Sequence, residues 1–484
     1  MKTFRRLKRV IIILILAFLA YVILGTVLPF LRHKEVSEEF KDRFRTDHFL
    51  SDETGPERVA FLKDNYEAFV WRLQMMEEAQ EEIIMSTFDF DEDDAGLDVM
   101  AALLHAADRG VRVRVLVDGF SGFLDMRGSE WFQALASHEN IELKIYAPMN
   151  LLKPWEIQTR LHDKYVIIDD KMYLLGGRNN TNLFLGDYPG HKNIDRELFI
   201  YEQEQTQDSS LVQLKEYFSR IWSLPESSAF ECKKVTEKIR KAYGELENRW
   251  QHIQETYPEG FAQPDWEGKT FAVNKVSLLA NPMEAENKEP EIWYALHQLM
   301  MQGKNVTIHT PYIICSDSMY EDLSLLCRTA DKVEIITNDI TSGANPFGCT
   351  DYLNQKENIL DTGVTVHEFL GATSNHTKTI LIDDRISIVG SYNLDMRSTY
   401  LDTEMMLVVD SPQLNRILRD VAEEDITYSK SISKGQEYVY GENYEPREFG
   451  FWKKVYYSVL RVVIRPIRNL LWVWHPEWPG RPGL

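Results

Sequence analysis

Apolar residues run nearly unbroken from Val10 to Leu28, nineteen positions without a charge, and Lys2, Arg5, Arg6, Lys8 and Arg9 precede them. As a helix, such a run is long enough to span a bilayer. It lacks a clean small-x-small site before a polar stretch, so it reads as an uncleaved anchor, with residues 1–34 as anchor and basic flanks. Basic residues stand on both sides of the run (Arg32, Lys34, Lys41, Arg43 and Arg45 follow it), which leaves its orientation open. A charged stretch over 35–60 reads as a juxtamembrane linker. Beyond it, helical and strand periods alternate: a helix from Glu67 to Glu81, a strand from Ile83 to Phe88, a helix from Leu97 to Arg109, a strand from Val111 to Asp118. The order recurs with Trp293 to Met301, Val306 to Tyr312, Met319 to Ala330 and Val333 to Thr337. Alternation of this kind predicts two α/β domains, over 60–225 and 271–430, each a sheet flanked by helices. Residues 226–270, charged, aromatic and helical in period, read as a connector between them.

Near the C-terminus, Lys454, Tyr457, Arg461, Arg465 and Arg468 recur at three- and four-residue steps, with Val455, Val459, Val462, Val463, Ile467, Leu470 and Leu471 opposite. The pattern predicts a basic amphipathic helix, kinked at Pro466 and followed by Trp472, Trp474 and Trp478. Residues 449–484 thus form a candidate membrane-associating tail.

One sentence of the chain is written twice. At His162 it reads H-D-K-Y-V-I-I-D, six residues, then G-G-R-N; at His376 it reads H-T-K-T-I-L-I-D, six residues, then G-S-Y-N. The β-branched runs after each motif predict strands. His162 and Lys164 then share one face, as do His376 and Lys378, because alternate strand residues point the same way. Asp169-Asp170-Lys171 and Asp383-Asp384-Arg385 read as hairpin turns. Each return strand ends in small residues, Gly176-Gly177 and Gly390-Ser391, that allow a close approach to a ligand. A duplicated structural strand has no reason to keep His, Lys and Asn while its apolar positions drift.

The chemistry suits a phosphodiester. Lysines offset charge on non-bridging oxygens as it develops. One histidine can attack phosphorus while a second protonates the departing oxygen. The lysines supply the electrostatics that a metal supplies elsewhere, so neither metal nor cofactor is expected. The four cysteines have no zinc spacing and no disulfide framework; Cys315 and Cys327 read as core residues.

Charge narrows the substrate. The chain carries 54 basic and 75 acidic residues, and its two ends are net basic while the body between them is net acidic. An acidic body is poorly matched to nucleic acid, whose binding rests on phosphate neutralisation. Basic ends flanking apolar segments suit a membrane surface.

The duplicated H-x-K-x4-D-x6-G-[GS]-x-N motif, with the helix and strand from Leu103 to Gly119, resembles the phospholipase D superfamily over roughly residues 60–430. Within it, the anchored two-motif layout is most similar to bacterial cardiolipin synthases. The resemblance implies two phospholipase D-like domains in a pseudo-twofold arrangement with one active site at the seam. It implies a catalytic set of His162, Lys164, Asp169, His376, Lys378 and Asp383, with His162 as nucleophile and His376 as acid and base, although the residues themselves are symmetric. Asp169 and Asp383, lying at turns, read as structural members of that motif. Asn179, Asn393, Gly177 and Ser391 support it. The family places an acid downstream to orient each histidine, and Glu197 and Glu404, each opening an apolar run, fit that place. Arg397 could meet a lipid phosphate or form a structural ion pair, and Tyr312 could line the pocket or the core. The expected reaction joins two phosphatidylglycerols at the cell membrane, releasing glycerol. Hydrolysis by the same site, and nuclease or other phosphodiesterase activity, remain the alternatives. Oligomeric state is not legible.

Overall fold

A computed structural model describes residues 2–202, 206–343 and 345–468. Trp472, Trp474 and Trp478 of the expected tail, with Leu470 and Leu471, lie outside the described residues.

Two nine-stranded mixed sheets carry the body. Edge to edge, the first runs Phe271–Ala272, Glu57–Leu62, Glu197–Glu202, Met172–Gly176, Tyr165–Ile168, Glu82–Thr87, Arg112–Asp118, Ile141–Tyr146 and Ser227–Phe230. The second runs Lys275–Ala280, Met405–Asp410, Ile386–Gly390, Thr379–Ile382, Asn305–His309, Lys332–Asn338, Thr365–Phe369, Ser429–Ile432 and Val439–Tyr440. From Glu57–Leu62 in one sheet and Lys275–Ala280 in the other, eight strands follow the same order with the same parallel and antiparallel neighbours. The molecule is an α/β protein with a duplicated fold in pseudo-twofold arrangement. Each motif forms a hairpin at mid-sheet, Tyr165–Ile168 with Met172–Gly176 and Thr379–Ile382 with Ile386–Gly390.

Helices start where capping side chains replace lost backbone partners. Asp64 accepts from the Glu67 amide at 2.7 Å and Asp93 from Gly96 at 3.0 Å, opening Asn65–Glu78 and Asp94–Asp108. The segment expected as a connector is built into the first half instead. Ser227–Phe230 forms an edge of its sheet, and the helix Glu237–Thr256 buries Leu246, Trp250 and Ile253 in its core. Their apolar spacing along that helix is the cause. The expected linker is docked too. Phe49 enters the core of the second half, Phe44 packs edge-on against Tyr294, and residues 57–60 already belong to the first sheet.

At the seam, Asn193–Ile194 pairs in parallel with Ser374–Asn375, and Leu161 bridges to Thr403. Buried Arg196 binds Asp425 across the same boundary. The helix Lys2–Val27 stands out from this body, and Phe4–Phe30 is long and apolar enough to cross a membrane. Its base is tied to the second half, where Phe30 packs on Met396, Tyr400 and Leu401, and His33 stacks on Tyr400 at 4.0 Å.

The C-terminal helix Phe451–Ile467 has an apolar and a basic face, and the line through Tyr457 and Arg461 lies toward the body. Tyr457 and Ile464 face the body, Arg461 bonds Asn354, and Arg468 beyond the helix binds Asp351. Phe451, Val455, Val459 and Val462 face outward. The residues that touch the protein thus lie on the Tyr457–Arg461–Ile464–Arg468 line, and the valine stripe is exposed.

Candidate active site

Both motifs meet at the seam. His162, Lys164, His376 and Lys378 are all buried, His376 being the most open at 7% exposure. Each lysine folds back on its own histidine: Lys164 Nζ donates to the His162 carbonyl at 2.8 Å, and Lys378 Nζ to the His376 carbonyl at 2.5 Å. Lys378 Nζ also lies 2.9 Å from Nε2 of His376. The shared strand face explains this, since residues two apart project together.

The carboxylates are exchanged between the halves. His162 Nδ1 meets Glu404 Oε1 at 2.8 Å, and His376 Nδ1 meets Asp195 Oδ2 at 2.6 Å. Each histidine is therefore held at Nδ1 by an acid from the other half, which fixes its ring. Burial opposes ionisation of Asp195, but Lys378, His376 and Arg178 outweigh it and hold its carboxyl below the usual range. Glu404 is fixed by the hydroxyls of Ser391 and Ser398, the latter at 2.5 Å.

Glu197 does not take the place expected for it. It binds Arg72 at 2.5 and 2.8 Å and Arg178 at 3.4 Å, inside the first half. Strand register gives the reason. Gly176 pairs with Glu197 and Gly390 with Met406, so the position two before each partner is Asp195 in one half and Glu404 in the other. Asp195 was missed because the spacing from the motif differs; a count back from the residue facing the motif glycine finds it.

The small motif residues make room for these acids rather than for a ligand. A Cβ on Gly177 would lie 2.4 Å from Asp195 Oδ2. The matching Ser391 instead donates its hydroxyl to Glu404.

Asp169 and Asp383 sit at the far ends of the motif strands, away from the histidines, and do not join the catalytic cluster. Asp169 accepts the amides of Gln80, Glu81 and Glu82 at 2.8–3.0 Å; Asp383 accepts those of Lys304 and Asn305 at 2.8 Å. Both turn residues adopt positive φ, 51° and 48°. Their carboxylates tie each hairpin turn to the neighbouring strand.

Asn393 donates to the Tyr312 hydroxyl at 3.1 Å, which places Tyr312 at the motif, buried. The side-chain oxygens of Asn179 and Asn393 are buried with no hydrogen-bond partner among the described residues. Buried amides are normally satisfied, so this matched pair is suited to a ligand. Arg397 pairs with Asp402 at 2.9 Å and donates to the Gln158 carbonyl at 2.8 Å, bracing the halves. Asp163, between His162 and Lys164, accepts from Tyr217 at 2.8 Å, and burial lifts its carboxyl to about 6. Thr377 takes that place in the second motif.

The chain matches known proteins over both halves. The family described as cardiolipin synthase, PLD-like domain, matches residues 73–222 and 296–426. Cardiolipin synthase C of Escherichia coli is 25% identical over 406 residues, covering 74% of this chain and 82% of its own. Cardiolipin synthase 1 of Staphylococcus epidermidis is 23% identical, covering 81% and 71%. Among solved structures, phosphatidylserine synthase of Haemophilus influenzae has the same fold at a TM-score of 0.59 and 16% identity, covering 87% of this chain and 96% of its own. With its two matched regions taking up more than half of its length, the chain belongs to the cardiolipin synthase family of phospholipase D-like proteins.

Proposed function

We propose that this protein is a membrane-bound phosphatidyltransferase that joins two phosphatidylglycerols into cardiolipin and releases glycerol. The observation that carries the reading is the crossed pair of histidine–carboxylate contacts, which makes one two-histidine site from two half-sites. In the first step His162 Nε2 attacks phosphorus, the bond to the glycerol oxygen breaks, and His376 gives that oxygen its proton. In the second, His376 takes the proton from a hydroxyl of another phosphatidylglycerol; the freed oxygen attacks phosphorus and the phosphorus–nitrogen bond breaks. Lys164 and Lys378 offset charge on the non-bridging oxygens. Asn179 and Asn393 would complete the phosphate cradle through their carboxamides, whose oxygen and nitrogen can exchange places. The roles of the two histidines follow the family resemblance. The long apolar N-terminal helix supports attachment to a membrane, and the exposed stripe of the C-terminal helix supports a second, interfacial contact.

The test is incubation of the purified full chain with phosphatidylglycerol, phosphatidylethanolamine and an oligonucleotide, with products identified by mass. Cardiolipin and free glycerol are expected. Phosphatidic acid in place of cardiolipin, with glycerol still released, would make water the acceptor, and oligonucleotide cleavage without lipid turnover would sink the reading. Rapid quenching should trap a phosphatidyl group on histidine in wild type and not in His162→Ala.

A further inference from the structure

Three residues of one loop leave large apolar surface uncovered beside the N-terminal helix: Leu151 is 51% exposed, Leu152 71% and Trp155 39%. This loop is fastened to that helix. The Tyr21 hydroxyl donates to the Leu152 carbonyl at 2.8 Å, and a Cβ on Gly25 would lie 2.4 Å from Cγ of Pro154. Gly25 is thus what lets the helix seat against the turn Pro154–Gln158.

The attachment point sets a depth. The apolar run from Val10 to Leu28 matches the roughly 30 Å of bilayer hydrocarbon when helical. Tyr21 lies seven residues before its end, about 10 Å inside at 1.5 Å per residue. Whatever bonds Tyr21 lies at that depth. A second apolar tip, with Phe123 44% and Leu124 52% exposed, follows the strand Arg112–Asp118, whose parallel neighbour Ile141–Tyr146 leads into the loop. Lys153, the charge within the loop, is paired with Glu156 at 2.8 Å, which offsets the cost of taking its ammonium out of water.

We propose that residues Leu151 to Trp155 form a wedge inserted into the hydrocarbon of the bilayer that the N-terminal helix crosses, and that this wedge fixes the height of the catalytic seam over the lipid phosphates. The inference rests on the reading of that helix as a membrane span. The occupant is lipid because the loop is held against the span itself, at a level where water is absent. Trp155 stands seven residues before His162, and the Gln158 carbonyl between them binds Arg397 of the other half. Displacement of the wedge therefore reaches both half-sites.

The full chain, with Cys232→Ser and Cys327→Ser, is labelled with an environment-sensitive fluorophore at Leu152→Cys or, separately, at Ile13→Cys. It is then reconstituted in phosphatidylglycerol vesicles. The label at 152 is expected to be quenched by nitroxides on lipid acyl chains and shielded from aqueous iodide. Quenching at 13 by nitroxide with quenching at 152 by iodide alone would overturn the wedge and keep the span. Shielding at 152 from both quenchers would mean protein cover, such as a second copy, and also overturns it. If neither label meets the nitroxide, span and wedge fall together. Replacing Leu151 and Leu152 by serine should lower turnover on vesicles at least tenfold and leave turnover on a monomeric short-chain lipid within twofold. Equal loss on both would make the loop a fold element and overturn the proposal.

Discussion

The carboxylate that holds His162 belongs to Glu404, 242 positions further along the chain and in the other half of the molecule. Asp195 returns the arrangement to His376. Neither histidine takes its carboxylate from its own half, so the two half-sites stand or fall together. Glu404→Gln or Asp195→Asn should each lower kcat on the order of 10²–10⁴-fold, the range over which acid–base groups act. Glu197→Gln should spare the chemistry in molecules that fold and destabilise by about 3–5 kcal/mol, since it leaves Arg72 and Arg178 buried without their full counter-charge. Steady-state rates corrected for folded fraction, beside denaturation in detergent, separate the two classes.

Gly177 tests the fit of the acid more finely. Alanine there would press its Cβ against Asp195 Oδ2, and a shift of about 1 Å at a catalytic group can cost on the order of 10²-fold in rate. Gly177→Ala should lower kcat by that order with little change in KM. Ser391→Gly removes one of two hydroxyls on Glu404 and should cost less. Equal effects from the two variants would refute the packing argument.

Asp169 belongs to the motif by sequence and to the scaffold by position. Asp169→Ala orphans three amides, at about 1–3 kcal/mol for each buried group left unsatisfied, less where water reaches them. The expected outcome is a lower Tm and a rate per folded molecule near that of wild type. A hundredfold loss of rate without loss of stability would return Asp169 to the catalytic set.

The seam should weaken in acid. Burial, with the charge of Arg196 beside it, depresses His309 to about 4. An unfolded histidine titrates near 6.5. Between those values the unfolded chain binds a proton that the native seam refuses, so stability rises with pH across the window and is lost as pH falls from about 6.5 to about 4. Asp425, held at about 2, adds a further loss below the ordinary carboxylate range. Denaturation in detergent at pH 7, 5.5 and 4.5 should show the decline, and His309→Gln should flatten its upper part.

What could be read in the chain followed from rigid spacing. The His-x-Lys faces, the hairpin turns and the doubled α/β order all depend on contacts within a few residues or on a repeat visible in one line. Asp195 escaped because its place depends on strand register after an insertion. The exchange of acids escaped because no local pattern records which half a side chain faces. The helix Glu237–Thr256 read as a connector because its many charges masked the apolar stripe of Ile239, Ala242, Leu246, Trp250 and Ile253.

Crossed pairing also has a genetic consequence. A half made alone would carry a histidine without its carboxylate and a carboxylate without its histidine, so inheritance of function attaches to the pair. A substitution at Asp195 is answered by the pocket around His376, not by the segment that encodes it. Each half is thereby free to diverge from its copy so long as it still fits its partner. That freedom is visible in the present chain, where one side offers aspartate beside a glycine and the other offers the longer glutamate beside a serine.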